Sequence, residues 1–399
     1  MVSNMEVYLD NSATTLIGEN ALNIMIKVMK EDYGNPSSMH LMGVKAERYM
    51  RDATDIIART LKVEPKEIVF TSGGTEANNL ALIGTALANR RKGKHIITTT
   101  IEHPSVQQPL YFLEENGYEV SYAPIDETGM IIKESLYELV TSETLLVSLM
   151  YVNNEIGSVQ DIEEIAKELK RIKEDIIIHV DAVQAFGKYT IHPKRMGIDL
   201  LTFSGHKIHG PKGSGVLYIN DKVRVKPLLL GGGHQRGVRS GTENVAAIAG
   251  IGQAVADLYT DFDKKISRMY ELKQRFLKGV IKFKDVKVNG LPKECSNNME
   301  MEQIRKTAPH IISVSFKGIR SEVLLHALEE KGIYVSSGSA CSSNHPQPSA
   351  TLKGIGLPKD LIDSTLRFSM SHLTTSEDID YTLEKLGELL PVLRRYRRK

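Results

Sequence analysis

Between about residues 65 and 220, short apolar, β-rich runs alternate with longer stretches of helical pattern. The runs are "EIVFT" (67–71), "KHIITTT" (94–100), "YEVSYAP" (118–124), "TLLVSLMYV" (144–152), "DIIIHVDA" (175–182), "DLLTFS" (199–204) and "GVLYI" (215–219). They predict strands. The intervening "TEANNLALIGTALANR" and "DIEEIAKELKRIKED" predict helices. In the second, Ile162, Ile165, Ala166 and Leu169 fall on one helical face. Strands alternating with helices predict an α/β domain whose seven-stranded, mainly parallel sheet is covered on both sides.

The pattern changes after the helical stretches "GTENVAAIAGIGQAVADLYTDF" and "KKISRMYELKQRFLKGVIKF". The chain continues with "VKVNG", "HIISVSF", a helix near 321–331, "IYVSSG", "TLRFSM" and a last helix from about 376. This predicts a smaller α+β domain from about residue 262 onward. Residues 292–306, "PKECSNNMEMEQIRK", are polar and aperiodic, and predict a surface loop in which Cys295 is incidental.

Composition narrows the class. A chain of 399 residues exceeds most single cores, and 41% apolar with 25% charged residues is ordinary for a soluble globular protein. A net charge of +2 offers no overall field for nucleic acid or an anionic membrane. The basic end "RRYRRK" reads as a solvated terminus. No apolar run reaches membrane-spanning length, and the N-terminus carries no signal pattern. Two distant cysteines without a CxxC motif point to a reducing compartment, so a cytoplasmic protein is expected.

Candidate chemistry gathers at strand ends. "FSGHKIHGPKG" (203–213) sets Lys207 between His206 and His209 among glycines, at an edge where open α/β sheets bind ligands. Lys207 is either a solvated turn lysine or a lysine placed to form an imine with a carbonyl compound. The two histidines lack a third ligand at zinc-like spacing. "TSGGTEANN" (71–79) runs through Gly73 and Gly74 into a helix, and its N–H groups with the Thr75 hydroxyl form an anion site suited to phosphate. It is not a Walker loop, which needs a lysine. "HVDAVQ" (179–184) ends a strand with Asp181 and Gln184. A buried acid there needs a partner, either a lysine or arginine or a protonated ring nitrogen. "TTTIEHPSV" adds His103 and "YVNNEIG" adds two asparagines. A phosphate cradle, an imine lysine, an acid and a histidine together describe the needs of pyridoxal phosphate.

These motifs, with "YLDNSATT", "GNPSS", "GGGHQRGVRSGT", "SSGSACSS" and "LRFSMS", run in order almost end to end. The chain thereby resembles the NifS/IscS-type cysteine desulfurases, fold-type I pyridoxal phosphate enzymes of the class V aminotransferase family. The resemblance implies a large cofactor-binding domain at 16–261 and a small domain from 1–15 with 262–399. It makes Lys207 the lysine that carries the cofactor as a Schiff base and His103 the ring-stacking proton carrier. Asp181 would pair with the pyridine nitrogen and Gln184 with the ring oxygen, with Asn154 also near the ring. Gly74, Thr75, Ser204 and His206 match the phosphate set, and Thr242 matches a residue that reaches the neighbouring subunit's phosphate, implying a homodimer. Arg367 matches the residue that binds the substrate carboxylate.

Cys341, among serines and glycines in "VSSGSACSSN", then matches the thiol that takes sulfur from L-cysteine as a persulfide, leaving L-alanine. The implied acceptor is an iron–sulfur scaffold or a tRNA or cofactor thiolation protein. A selenocysteine lyase or cysteine sulfinate desulfinase of the same fold is the alternative. No metal is implied. The chain departs from the family pattern at Gln235, where glutamate is common, and at His310, where asparagine is usual. Its 292–306 stretch is longer than in typical members, and it ends without the extension that housekeeping members use to dock a scaffold.

Overall fold

The computed structural model describes residues 5–292, 295, 299–337 and 349–395. Near the N-terminus lies β1 (Val7–Tyr8). The large sheet contains β2 (Ile68–Thr71), β3 (His95–Thr99), β4 (Glu119–Ala123), β5 (Thr144–Met150), β6 (Ile177–Asp181), β7 (Leu200–Ser204) and β8 (Gly215–Ile219). Their order across the sheet is β2-β8-β7-β6-β5-β3-β4. The five strands from β4 to β7 pair in parallel, and only β8 runs against its neighbours. The sheet is therefore seven-stranded and mainly parallel, as its apolar runs predict.

Successive residues of each strand enter opposite cores, because side chains alternate across a sheet. Ile97, Val147, Ile178 and Leu201 join one cluster, while Ile96, Leu146, Ile177 and Leu200 join another. Both faces are covered, which is why these strands read as continuous apolar runs. The predicted 75–90 helix is a rod of three pieces, an α-turn at Gly74–Asn79, a π-helical turn at Leu80–Gly84 and a last α-turn at Thr85–Ala88. At the sheet edge, Phe70 N donates to Gln235 Oε1 (2.7 Å) and Gln235 Nε2 donates to Phe70 O (2.9 Å). The Gln235 amide thus pairs with β2 as another strand would.

A second core surrounds β9 (Val286–Asn289), β10 (Ile311–Phe316), β11 (Ile333–Tyr334), β12 (Ser336–Ser337) and β13 (Thr365–Ser369). Four of these form an antiparallel sheet in the order β12-β13-β10-β9, and β11 pairs with β1. Phe276, Phe316, Phe368 and Leu386 pack there, joined by Val7 and Leu9.

Cys295, Met299 and Ile304 are also buried in that core, so the 292–306 stretch is not a plain surface loop. Their uneven spacing hid this, since a segment lying across a core as an irregular turn needs no fixed period. Lys273 is buried beside it, donating to Thr307 Oγ1 (2.7 Å), Ala308 O (2.7 Å) and Ile311 O (2.9 Å). The final helix, Ser376–Arg395, takes in the first arginines of the basic end, and residues 396–399 lie outside the described residues. No described helix is long and apolar enough to cross a membrane.

Candidate active site

Strands β2, β3, β5, β6 and β7 point the same way, so the segments after them emerge at one edge. Register brings their ends side by side: Met150 pairs with Asp181, Asp181 with Thr202, and Gly215 with both Thr71 and Ser204. β8 begins at this edge, and a Cβ on Gly215 would come within 2.6 Å of Gly73 Cα. Gly73 itself has φ +155°, a conformation that side chains rarely adopt. The glycines leave a cavity of about 440 Å³, lined by Thr14, Gly74, Thr75, Ser204, His206 and Lys212 among others.

Asp181 is 4% exposed. Its Oδ2 accepts from Asn78 Nδ2 (2.9 Å) and its Oδ1 from Val183 N (2.9 Å). Among the described residues it has no lysine or arginine partner. His103 starts the helix Pro104–Glu115, and its Nδ1 accepts from Ser105 N (3.1 Å). A backbone N–H can only donate, so the ring proton sits on Nε2. Burial lowers the His103 pKa, Asp181 opposes this, and Lys207 lowers it further. His206 is pushed down to about 4 by burial, then by Lys207 and Lys212.

Lys207 reaches the segment before the first helix, where its Nζ donates to Ser12 O and to Ala13 O (2.8 Å). Ser12 O also accepts from Gln184 Nε2 (3.0 Å). Phe186 stacks on Phe203 with ring centroids 3.8 Å apart, which ties the turn after β6 to the end of β7.

Arg367, on β13, donates from Nη2 to Asp10 Oδ1 (2.9 Å) and from Nη1 to Asn154 O (3.0 Å). Asn154 thus meets it through its backbone. Thr242 lines an adjacent cavity of about 200 Å³ with Arg239 and Gln235, and not the one formed by Gly74 and Thr75 of its own chain. Cys341 lies outside the described residues.

Several neighbours escape the sequence reading. Asn78 bridges Asp181 and Ser105 Oγ (2.9 Å), and its place four residues after Gly74 on one helix face is a usable signal. Lys212 adds a cation to the cradle. Glu102 is fully buried and accepts on Oε1 from Thr99 Oγ1 (2.7 Å) and Met150 N (3.0 Å). Burial pushes its carboxyl up to about 8 despite these bonds, and Asp181 adds to the rise. Only the departure from asparagine marks His310, whose Nε2 meets Gln184 Oε1 at 3.1 Å.

The pattern of the aminotransferase class-V family matches residues 7–382. The chain belongs to the aminotransferase class-V family. It is 41% identical to the cysteine desulfurase IscS of Methanosarcina thermophila, over 98% of this chain and 93% of that protein. Among solved structures, a NifS-like protein superposes with a TM-score of 0.89 at 35% identity, covering 98% of this chain and all of that one. SspA in complex with cysteine gives 0.79 at 32% identity, covering 92% and all of it.

The cofactor of this class-V chain is pyridoxal 5′-phosphate, and the residues present fit it. A buried carboxylate without a cation suits a protonated ring nitrogen. The glycine cradle, with the Thr75 and Ser204 hydroxyls and Lys212, suits a phosphate. Lys207 offers an amine at the same edge.

Proposed function

We propose that this chain is a cysteine desulfurase, which takes the sulfur of L-cysteine onto Cys341 and releases L-alanine. Asp181 carries the reading: it is a buried acid held by amide donors, without a cation among the described residues, at the same sheet edge as Lys207 and His103. The relatives named cysteine desulfurase support it. Pyridoxal phosphate, when bound, supplies an electron sink that stabilises negative charge at the substrate Cα.

The chain's own groups do the rest. Asp181 would hold the ring nitrogen protonated, Gln184 and His103 would meet the ring, and the Gly74, Thr75, Ser204 and His206 set would hold the phosphate. Lys207 would hold the cofactor through its amine and would be the base for the Cα proton. Arg367 holds the substrate carboxylate through a paired fork. The Cys341 thiolate forms an S–S bond with the substrate sulfur as the Cβ–S bond breaks. The electron pair left on carbon takes a proton, giving the methyl group of alanine. Described residues on either side of 338–348 bond to groups around Arg367. Ser336 Oγ donates to Asp10 Oδ1 (2.8 Å), the partner of Arg367. Ser349 Oγ donates to Glu155 Oε2 (2.5 Å), whose pKa burial raises and Arg367 lowers.

The same proposal takes the active form as a homodimer in which Thr242 serves the partner's phosphate. The exposed Leu16, Leu22, Met29, Tyr33 and Leu41 support a covered face there. It divides the chain into 16–261 and 1–15 with 262–399, in line with Val7 and Leu9 joining the core around β10 and β13, and passes the persulfide sulfur to an iron–sulfur scaffold or a thiolation enzyme. The test is alanine formation from L-cysteine with a reducing thiol, comparing wild type with Cys341→Ala. Alanine from wild type alone supports the desulfurase. Equal alanine from both removes the thiol's role and favours a lyase, and none from either overturns the proposal.

A further inference from the structure

Gln184 and His310 belong to segments next to different sheets, though their apolar neighbours Ala185 and Ile311 share one core. Gln184 lies in the turn after β6 of the large sheet. His310 immediately precedes β10 of the small one, where its carbonyl accepts from Met370 N (2.9 Å). Their side chains meet in the buried space between, His310 being 3% and Gln184 7% exposed.

The hydrogen bonds settle every orientation in this group. Ser12 O is a carbonyl and can only accept, so the Gln184 group facing it at 3.0 Å is the NH₂. That leaves Oε1 facing His310 Nε2 at 3.1 Å, and an amide oxygen can only accept. The hydrogen of the imidazole is therefore on Nε2. Nδ1 keeps a lone pair and is buried without a partner among the described residues.

The surroundings hold the ring in that neutral form. Burial lowers the His310 pKa well below the ordinary value, and Lys188, Lys273, Arg367 and Lys207 all push it the same way. A ring with one fixed proton makes one fixed bond.

We infer that His310 is a positioning residue: by donating to Gln184 Oε1 it pins the amide, so that Gln184 has only an N–H left to offer into the site. The inference rests on the pyridoxal phosphate reading of that site. Ser12 O takes one N–H of Gln184 and also accepts from Lys207. The second N–H is the unspent donor, and the ring oxygen of the cofactor is the acceptor it suits. An amide freed from His310 could flip and present Oε1 instead, setting oxygen against oxygen.

The test uses the loaded enzyme and reads a spectrum. A donor on the ring oxygen stabilises its anionic form, so the lysine-bound cofactor loses its proton at lower pH. His310→Phe keeps a planar ring but removes the donor. The pH midpoint of the visible absorbance change is expected to rise by about one unit, with cofactor content unchanged. His310→Gln, whose amide again donates, is expected to return most of the shift. In a Gln184→Leu background, His310→Phe is expected to move the midpoint no further.

A wild-type midpoint that His310→Phe and His310→Gln both leave in place overturns the inference alone. So does an equal shift in the presence and absence of Gln184. If wild type shows no lysine-bound band with pyridoxal phosphate, the cofactor reading fails first and takes the inference with it. Should His310→Phe not fold, His310→Leu, which also removes the donor, takes its place in each comparison. A nitrogen spectrum showing the proton of His310 on Nδ1 would also overturn it.

Discussion

Arg367 Nη2 lies 2.9 Å from Asp10 Oδ1, joining positions 357 residues apart. The two side chains are 10% and 19% exposed. With Nη1 on Asn154 O, two of the three guanidinium nitrogens have acceptors and, among the described residues, the buried Nε has none. An orphaned buried donor costs about 1–3 kcal/mol, and an incoming carboxylate is a group that would satisfy it.

Arg367→Lys keeps the charge and loses the fork. If Arg367 holds the substrate carboxylate, KM for L-cysteine rises about 10- to 100-fold while kcat changes much less. Steady-state kinetics over a wide cysteine range checks this. An unchanged KM removes Arg367 from the substrate site.

Glu102 leads to a pH dependence. Its folded value of about 8 stands above the ordinary 4.5. Between these values the folded chain binds a proton that the unfolded chain has lost. The associated stability is fully present below about pH 4.5 and is lost as pH rises toward about 8. Glu102→Gln keeps an acceptor for Thr99 Oγ1 and Met150 N and cannot ionise. Between about pH 5 and pH 8, the Tm of wild type should fall about 2–5 °C more than that of the variant. Parallel Tm profiles would mean that Glu102 is ionised in the fold.

Gln235 supplies a donor that glutamate lacks. Replacing it by Glu leaves Phe70 N with an acceptor but sets a carboxylate oxygen against Phe70 O, now 2.9 Å from Nε2. Denaturant unfolding at neutral pH is expected to show a loss of about 1–3 kcal/mol. The loss should shrink as the pH falls and the new carboxyl protonates. No loss at either pH would make the edge pairing dispensable.

The sequence by itself determined the elements and the kinds of chemistry at their ends. "GVLYI" is β8 to the residue, and Ile162, Ile165, Ala166 and Leu169 are all buried on one helix face. Periodicity reports which face of a segment leaves water, and that is a local property. Residue type likewise marked Lys207, Asp181 and His103, because few side chains can form an imine, hold a ring proton or shuttle one.

Only the tertiary structure decided who meets whom. A strand's run of apolar residues does not say that β8 reverses between β2 and β7. A buried acid does not announce that Asn78, 103 residues away, satisfies Asp181 in place of a lysine. The Asp10–Arg367 and His310–Gln184 pairs, and the burial of Cys295, depend in the same way on how distant segments pack. Hydrogen bonds and ion pairs act over about 3 Å, and chain segments far apart in sequence reach that distance only once the cores have formed.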